Sequence, residues 1–502
     1  MRYLVSSEEM RAMDHYSIET IGIPSMVLME RAAHSVVEEI HKRKGFGLRV
    51  LILCGTGNNG ADGLAMGRMM SLEGDDPTIC VVGDPSHGTG EWLEQESICR
   101  KMGLKMIYER ENFGFIAEQR YDIIVDSMLG TGLGRPVRGS YACCIEAVNQ
   151  SKAYVAAVDI PSGVSADTGA ILGTATRCDL TVTFQYQKVG LALFPGAEYA
   201  GECVVRDIGI VPRGLSEVKP RAFTRGPEEL ENLPARPAWS NKGTFGRVLV
   251  IAGSRNMAGA SILAGEAAYR TGAGLVRLFA PECNREILQT SLPEAILTTY
   301  PEEEEQIPAI RSSLMDAVNW ATAIVIGPGL GRSKIAEELV SQVITGTRLP
   351  TVIDADALNI LAIHPEWMRT CMERFYILTP HMGEMSRLTG QSIGEIKADP
   401  VHTAKNYADQ WRCVVVQKDA RTVVSSVNSE VSYINLCGNS GMSTGGSGDV
   451  LAGIIGGLLA AGMEAFDAAS YGVLMHAHAG DQAAEKYGER AMLARNLLEY
   501  VR

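Results

Sequence analysis

The segment Gly438-Asn439-Ser440-Gly441-Met442-Ser443-Thr444-Gly445-Gly446-Ser447-Gly448-Asp449 interleaves five glycines with hydroxyl and amide side chains, and the uncharged stretch 450–459 follows it. That stretch contains Gly453, Gly456 and Gly457. Glycine inside a helix costs roughly 1 kcal/mol against alanine, so a helix here must be packed closely against something. A buried helix aims its first N–H groups and its positive dipole end at the preceding loop. Such a loop suits a phosphoryl group that carries negative charge in a transition state. Asp449 then has two readings: an N-cap, or a general base facing a substrate hydroxyl.

Other polar groups in this half follow apolar runs directly. They are Gly327-Pro328-Gly329-Leu330-Gly331, Asp354-Ala355-Asp356, Thr379-Pro380-His381-Met382-Gly383-Glu384, and Lys418 ahead of Arg421-Thr422. Groups just past the ends of parallel strands share one crevice. A lone histidine is more often structural, but this setting favours a role for His381 at the crevice.

A second constellation lies in the first half. Val50-Leu51-Ile52-Leu53-Cys54 runs into Gly55-Thr56-Gly57-Asn58-Asn59-Gly60-Ala61-Asp62-Gly63, with a helix expected over 64–70. Strand, glycine-rich turn and helix start make an anion site from free backbone N–H groups. Two more strands end in acids: Asp126 before Gly130-Thr131-Gly132-Leu133-Gly134, and Asp159 before Ile160-Pro161-Ser162-Gly163. One such acid would be a helix cap, but two beside a glycine-rich loop point to a ligand. Carboxylate, amide oxygen and carbonyls together also suit a hard, oxygen-liking cation.

These residues need a scaffold that brings strand ends together. Short apolar runs at 49–54, 78–82, 123–126, 154–159 and 180–184, separated by helix-length segments, predict a parallel sheet covered on both faces. The second half repeats the pattern at 247–252, 275–279, 323–326, 351–353, 376–378 and 413–417, with a hairpin at 422–425 and 431–434 and helices at 468–484 and 491–501. Ser6 and Glu9 predict a capping box opening a helix through Met10, Ala12 and Met13. Prolines at 212, 220, 227, 234 and 237 place a domain boundary near residue 225.

Composition narrows the function classes. The 502 residues carry 46 Lys+Arg against 59 Asp+Glu, a formal charge of -13, which argues against broad phosphate-driven nucleic-acid binding. Apolar residues at 46 % and charged residues at 21 % exclude disorder as the dominant state. The 53 glycines and few aromatics favour α/β turns over an all-β sandwich. Eleven cysteines without a C-x-x-C pair read as reduced core residues rather than a zinc site. No signal-peptide run opens the chain, and no apolar stretch spans a bilayer, so a soluble cytoplasmic protein is expected, without nucleic-acid or membrane partners and as a homo-oligomer.

The run Asn58-Asn59-Gly60-Ala61-Asp62-Gly63, then Asp126 with Gly130-Thr131-Gly132, then Asp159-Ile160-Pro161-Ser162-Gly163, resembles the NAD(P)H-hydrate epimerase domain of YjeF N-terminal type. The likeness covers about residues 1–215 and includes Lys188, Pro195-Gly196 and Asp207-Ile208-Gly209. It implies a Rossmann-like three-layer αβα domain that interconverts the R and S forms of hydrated NADH or NADPH and binds potassium. Carried over, Asn59, Asp126 and Ser162 hold potassium. Asn58, Asn59, Gly60, Ala61, Asp62, Gly130, Thr131, Gly132, Leu133, Gly134 and Arg135 hold the dinucleotide, and Asp159 is the acid/base at the hydrated ring. Ala61 departs from the family's usual glycine.

Residues 241–502, reached through a proline-rich linker at 216–240, resemble the ribokinase-like NAD(P)H-hydrate dehydratases. The likeness rests on Asn241-Lys242-Gly243, Gly246-Arg247, Ala252-Gly253-Ser254, Gly259-Ala260, Gly272-Ala273-Gly274 and the Gly448-Asp449 loop, where Ser447 stands for a frequent threonine. Such enzymes remove water from the S hydrate at the expense of ADP or ATP, with Mg²⁺ assisting. The resemblance implies that Ala260, Gly329, His381 and Asp449 contact the hydrate, with Asp449 catalytic, and that Lys418, Asp419, Ala420, Arg421, Thr422 and Gly448 contact the adenine nucleotide. Fusion of both domains resembles bacterial bifunctional repair enzymes, which generally use ADP. The alternative is a ribokinase-like small-molecule kinase with a non-catalytic N-terminal nucleotide-binding module.

Overall fold

Alternate residues of the first apolar run face opposite cores, which is why the run is continuously apolar. Val50, Ile52 and Cys54 pack with helices Ser25–Lys44 and Asn58–Leu72, while Leu51 and Leu53 pack with helix Ser140–Gln150. The computed structural model describes residues 1–109, 111–118, 120–370 and 376–501. It divides into two units, Tyr3–Ala222, and Phe223–Arg502 with Met1–Arg2.

The strands of the N-terminal half are β1 (Arg2–Val5), β2 (Arg49–Cys54), β3 (Asp76–Val82), β4 (Lys105–Glu109), β5 (Ile123–Ser127), β6 (Tyr154–Val158), β7 (Leu180–Phe184), β8 (Gln187–Lys188) and β9 (Glu202–Arg206). Seven form one parallel sheet in the order β4-β3-β2-β5-β6-β7-β9. With helices on both faces this is a three-layer αβα unit. Winding reverses between β2 and β5, which leaves a crevice at their carboxyl ends. Beside this sheet, β8 pairs with β1 in parallel, Val5 opposite Lys188.

The C-terminal half holds β10 (Ala222–Thr224), β11 (Arg247–Ile251), β12 (Leu275–Pro281), β13 (Ile296–Tyr300), β14 (Ala323–Ile326), β15 (Thr351–Ile353), β16 (Tyr376–Leu378), β17 (Val414–Gln417), β18 (Val423–Ser426) and β19 (Ser432–Ile434). In the order β13-β12-β11-β14-β15-β16-β17 neighbours are parallel; β18-β19 is the expected hairpin, and β18 also pairs antiparallel with β17. The second reversal falls between β11 and β14. Helix Ser447–Ala460 covers this sheet so closely that a Cβ on Gly456 would lie 2.3 Å from Val325 Cγ2, and one on Gly453 2.2 Å from the Ala264 carbonyl oxygen. That contact offsets the poor helix propensity of the glycines.

Four expectations need correction. The helix after β2 starts at Asn58, not at 64, so Asn58 to Gly63 are its first turns rather than a loop. Glycine permits this because the helix starts against its own preceding turn: a Cβ on Gly60 would lie 1.9 Å from the Gly55 carbonyl oxygen. β4, β9 and β13 lie at or near sheet edges, partly exposed and without apolar runs. At the C-terminus only Ala494–Leu497 is helical of the expected 491–501, because the Leu493 N–H donates to the Asn496 side chain (2.8 Å) and restarts the helix late. Residues 222–224 of the proline-rich stretch form a strand, and the Phe223 ring packs tilted against Tyr433, centroids 5.6 Å apart.

Among the described residues every cysteine is free, six are buried, and no helix is long and apolar enough to cross a membrane. Cys371 lies outside the described residues.

The capping box forms as expected. Ser6 Oγ accepts from the Glu9 N–H (3.1 Å), and Glu9 Oε2 accepts from the Ser6 N–H (2.7 Å), opening helix Ser7–His15. Ser6→Ala should cost about 1 kcal/mol. For a unit of this size that lowers Tm by about 2–4 °C in calorimetry; an unchanged Tm would mean the box contributes nothing.

Candidate active sites

At the first crevice the helix Asn58–Leu72 begins directly beneath the end of β5. The first-turn N–H groups of Asn58, Asn59 and Gly60 have no acceptor within the helix, and Ala61 is the first to bond back, to the Gly57 carbonyl (3.1 Å). The Ala61 methyl is fully buried in the core beside Leu64 and Ala65, so the departure from glycine adds packing on the side away from the crevice.

The segment 126–130 gathers three of the predicted residues. Asp126 is fully buried, its Oδ2 accepting from the Ser162 N–H (2.8 Å) and its Oδ1 from the Ser162 hydroxyl (2.6 Å). Ser162 Oγ also accepts from the Leu129 N–H (2.8 Å). Burial pushes the Asp126 carboxyl up, opposed by those donors. Asn59 lies against Gly130, whose Cβ would sit 3.3 Å from Asn59 Cβ, and its carbonyl accepts from the Ser127 hydroxyl. Both polar atoms of the Asn59 amide are buried without a partner. A buried polar atom left unpaired costs roughly 1–3 kcal/mol, so an amide oxygen, a carboxylate and a hydroxyl around one turn fit an oxygen-preferring cation.

Asp159 ends β6 with φ at 66°, in the left-handed region that non-glycine residues rarely adopt. Its Oδ1 accepts from Thr183 Oγ1 (3.0 Å), from the Phe184 N–H (3.0 Å) and from Lys188 Nζ. Around it stand Asp62, pushed well up by burial and then by Asp159 and Asp14, and Asp14 itself, pushed up by burial, then Asp159 and Glu91. Asp14 was invisible in the sequence, because nothing in an amphipathic first helix marks one acid as facing another strand's end. Gly132, Gly134 and Arg135 are exposed, while Leu133 and Arg135 line a cavity of about 510 Å³ with Leu129, Arg138 and Tyr141.

At the second crevice, Asp354 follows β15 and is buried. Its Oδ1 accepts from Lys418 Nζ (2.8 Å) and from Thr379 Oγ1 (2.6 Å). A Cβ on Gly448 would lie 3.4 Å from Lys418 Nζ and 3.9 Å from Asp354 Oδ2, so Lys418 and Asp354 meet the start of helix Ser447–Ala460. Asp449 occupies its first turn. Burial raises the Asp449 carboxyl to about 7, with Asp354 adding to the rise and Lys418 opposing it. Glu384 is likewise raised to about 7 by burial against Lys418. Burial opposes the charge on Lys418, but Asp354 and Glu384 outweigh it and hold the ammonium above its ordinary range.

His381 does structural work: it caps helix Met382–Thr389, its Nδ1 accepting from the Gly383 N–H (3.0 Å) and its own N–H donating to Glu384 Oε2 (2.9 Å). The side chain stays 54 % exposed, so the ring still opens to solvent. Gly329 and Ala260 are neighbours, a Gly329 Cβ falling 2.8 Å from Ala260 Cβ. Of the other predicted nucleotide contacts, Asp419 and Ala420 are exposed, Asp419 pairing with Lys397 (3.0 Å). Arg421 donates to the Leu436 carbonyl (2.8 Å), and Thr422 Oγ1 lies 3.4 Å from the Asp419 carbonyl. Two residues of helix Ala465–Tyr487 escaped the sequence reading. Asp481 ties down the glycine-rich loop through the Gly438 N–H (2.9 Å) and Asn439 Nδ2 (3.0 Å). His476 Nε2 lies 3.2 Å from Ser447 Oγ and is pushed down to about 4 by burial. A helix periodicity signals burial, not which loop is met.

Residues 248–502 match the family described as NAD(P)H-hydrate dehydratase, and residues 25–190 match the YjeF-related protein N-terminus. A bifunctional NAD(P)H-hydrate repair enzyme of Moorella thermoacetica is 37 % identical over 99 % of this chain and 96 % of its own. One of Escherichia coli is 34 % identical over 98 % and 92 %. Among solved structures, an ADP/ATP-dependent NAD(P)H-hydrate dehydratase from Bacillus subtilis is 29 % identical with a TM-score of 0.46, covering 55 % of this chain and 94 % of that one. The chain belongs to the bifunctional NAD(P)H-hydrate repair enzymes, which carry epimerase and dehydratase activities, and likeness along its whole length sets aside a kinase with an inert N-terminal module.

Gly60→Ala puts a methyl into the Gly55 carbonyl. Epimerisation should fall at least about 10-fold, on the order of 1.4 kcal/mol, while dehydration of the S hydrate persists. Parent-level epimerisation would show that the helix can retreat without harming the site.

Proposed function

We propose that, in this bifunctional repair enzyme, the two crevices act on the same damaged nicotinamide, each through its own aspartate. The observation that carries this is the meeting of Lys418, Asp354, Gly448 and Asp449 at one helix N-terminus, with a counterpart around Asp159 at the first crevice.

In the C-terminal unit the substrate is the S hydrate, with ADP as phosphoryl donor. Hydroxide is a poor leaving group and phosphate a good one. Asp449 takes the proton of the ring hydroxyl, and that oxygen attacks the terminal phosphoryl of ADP, releasing AMP. Phosphate then leaves with the C–O bond pair. A proton lost from the neighbouring ring carbon restores the double bond. The N–H groups of the loop ahead of helix Ser447–Ala460 and the Lys418 ammonium stabilise the charge that develops on the phosphoryl group. Gly448, Asp419, Ala420, Arg421 and Thr422 bound the nucleotide, and Ala260, Gly329 and His381 the hydrate. Among the described residues no group of three His, Cys, Asp or Glu could hold a metal, so Mg²⁺ is proposed as the nucleotide's companion and no step is assigned to it.

In the N-terminal unit Asp159 moves the proton that opening and closing the ring C–O bond requires. Asn58 to Asp62 and Gly130 to Arg135 hold the dinucleotide. Asn59, Asp126 and Ser162 would hold potassium, which supplies fixed positive charge beside the bound substrate. The orphaned Asn59 amide oxygen supports that donor set. The free cysteines support a cytoplasmic setting.

Asp449→Asn should abolish dehydration and leave epimerisation intact, followed by the return of near-ultraviolet absorbance from the reduced dinucleotide. Equal dehydration rates would remove Asp449 from the mechanism. A base with its pKa at about 7 must be ionised, so the parent's dehydration rate should fall as pH drops through about 7. Because folding raises this carboxyl from 3.8 to about 7, it costs stability progressively as pH rises between those values and in full above about 7; the asparagine variant should therefore melt at or above the parent's Tm at pH 8.

Exchanging potassium for tetramethylammonium should slow epimerisation several-fold in the parent and have no effect in Asn59→Ala. Identical cation dependence in both proteins would reject the Asn59 assignment.

A further inference from the structure

We propose that Lys188 is the positioning residue of the epimerase crevice: its buried ammonium pins Oδ1 of Asp159, so that Oδ2 alone is offered to the hydrated ring. This rests on the assignment of Asp159 as the acid/base.

An ammonium has three N–H donors, and all three of Lys188 are spent inside the protein. They go to Asp159 Oδ1, to Thr183 Oγ1 (3.0 Å) and to the Phe184 carbonyl (3.1 Å). Lys188 is 0 % exposed. It therefore has neither a free proton nor surface with which to bind substrate, and its effect must pass through Asp159. A buried ammonium is costly unless paired, and Asp159 is its ion-pair partner.

The same contacts fix the other side of the pair. The Thr183 hydroxyl accepts from Lys188 and donates to Asp159 Oδ1 (3.0 Å), and the Phe184 N–H donates to that oxygen too (3.0 Å). Three donors converge on Oδ1, while Asp159 remains 16 % exposed. Lys188 itself is set by the parallel pairing of β8 with β1. The groups whose ionisation the pair influences come from other elements: Asp62 on helix Asn58–Leu72, Asp14 on helix Ser7–His15 and Cys203 on β9.

The test uses the full-length protein with Lys188→Met and Lys188→Gln; glutamine keeps an amide donor without the charge. Both should lose epimerisation kcat at least about 10-fold. The acid limb of the pH–rate profile should move up by about one unit or more, because a neighbouring cation no longer favours the carboxylate, while KM changes less than about threefold. Dehydration of purified S hydrate should match the parent and report a folded C-terminal unit, and near-parent KM for epimerisation with an unchanged circular dichroism spectrum should report a folded N-terminal unit. If methionine prevents the N-terminal unit from folding, glutamine decides. A folded variant with the parent's kcat and acid limb overturns the inference. Asp159→Asn run in parallel separates the two ideas. If it retains epimerisation, the assignment of Asp159 fails; if it loses epimerisation while Lys188→Gln does not, only the role of Lys188 fails.

Discussion

A carboxylate taken out of water keeps its charge only where donors or a cation replace the lost solvation. Both units of this protein accept that constraint at the carboxyl ends of parallel strands. Asp126 has no cation among its described partners and is held by the hydroxyl and N–H of Ser162. Asp159 and Asp354 each have a lysine. The sheets are apolar on both faces, so the strand ends are the places in the middle of the fold where polar side chains escape the core without leaving the scaffold. The chemistry is located there because burial and access coexist there.

Glycine is the second condition, and it acts through approach rather than flexibility. The helix after β2 can begin at Asn58 only because Gly60 lets it lie on the Gly55 carbonyl. The helix carrying Asp449 can sit on β14 only because Gly456 leaves room for Val325. In each case the helix N-terminus is delivered to the crevice where winding reverses, and its unpaired N–H groups form the surface proposed to face phosphate. Added methyls there would move the anion site as well as weaken the core.

Continuous burial made the central strands legible: 49–54, 180–184 and 323–326 coincide with β2, β7 and β14 because both faces of those strands are covered. β4 and β9 were not legible, since edge strands expose one side and lose the apolar signal. Residues lying next to glycine-rich turns could be named as candidates because the motif itself is local. Their pairings could not: Lys188, named only within the family resemblance, is 29 residues beyond Asp159, and Asp14 comes from an earlier helix. His381 shows the remaining ambiguity, since the same ring caps a helix and borders the crevice.

The two lysines solve opposite problems with one kind of contact. In the C-terminal unit Lys418 binds Asp354, not Asp449. Its attraction for Asp449 is only part of a balance that burial and Asp354 win, and this carboxyl, the proposed base, sits at about 7. A base near neutrality takes a proton from a hydroxyl with useful driving force and is still ionised often enough to act. In the N-terminal unit the lysine grips Asp159, the carboxylate proposed to react. Epimerisation returns the proton it takes, so orientation and repeated use matter more there than a poised affinity. One phosphoryl transfer per turnover calls for the first arrangement; a reversible exchange between two faces of a ring calls for the second.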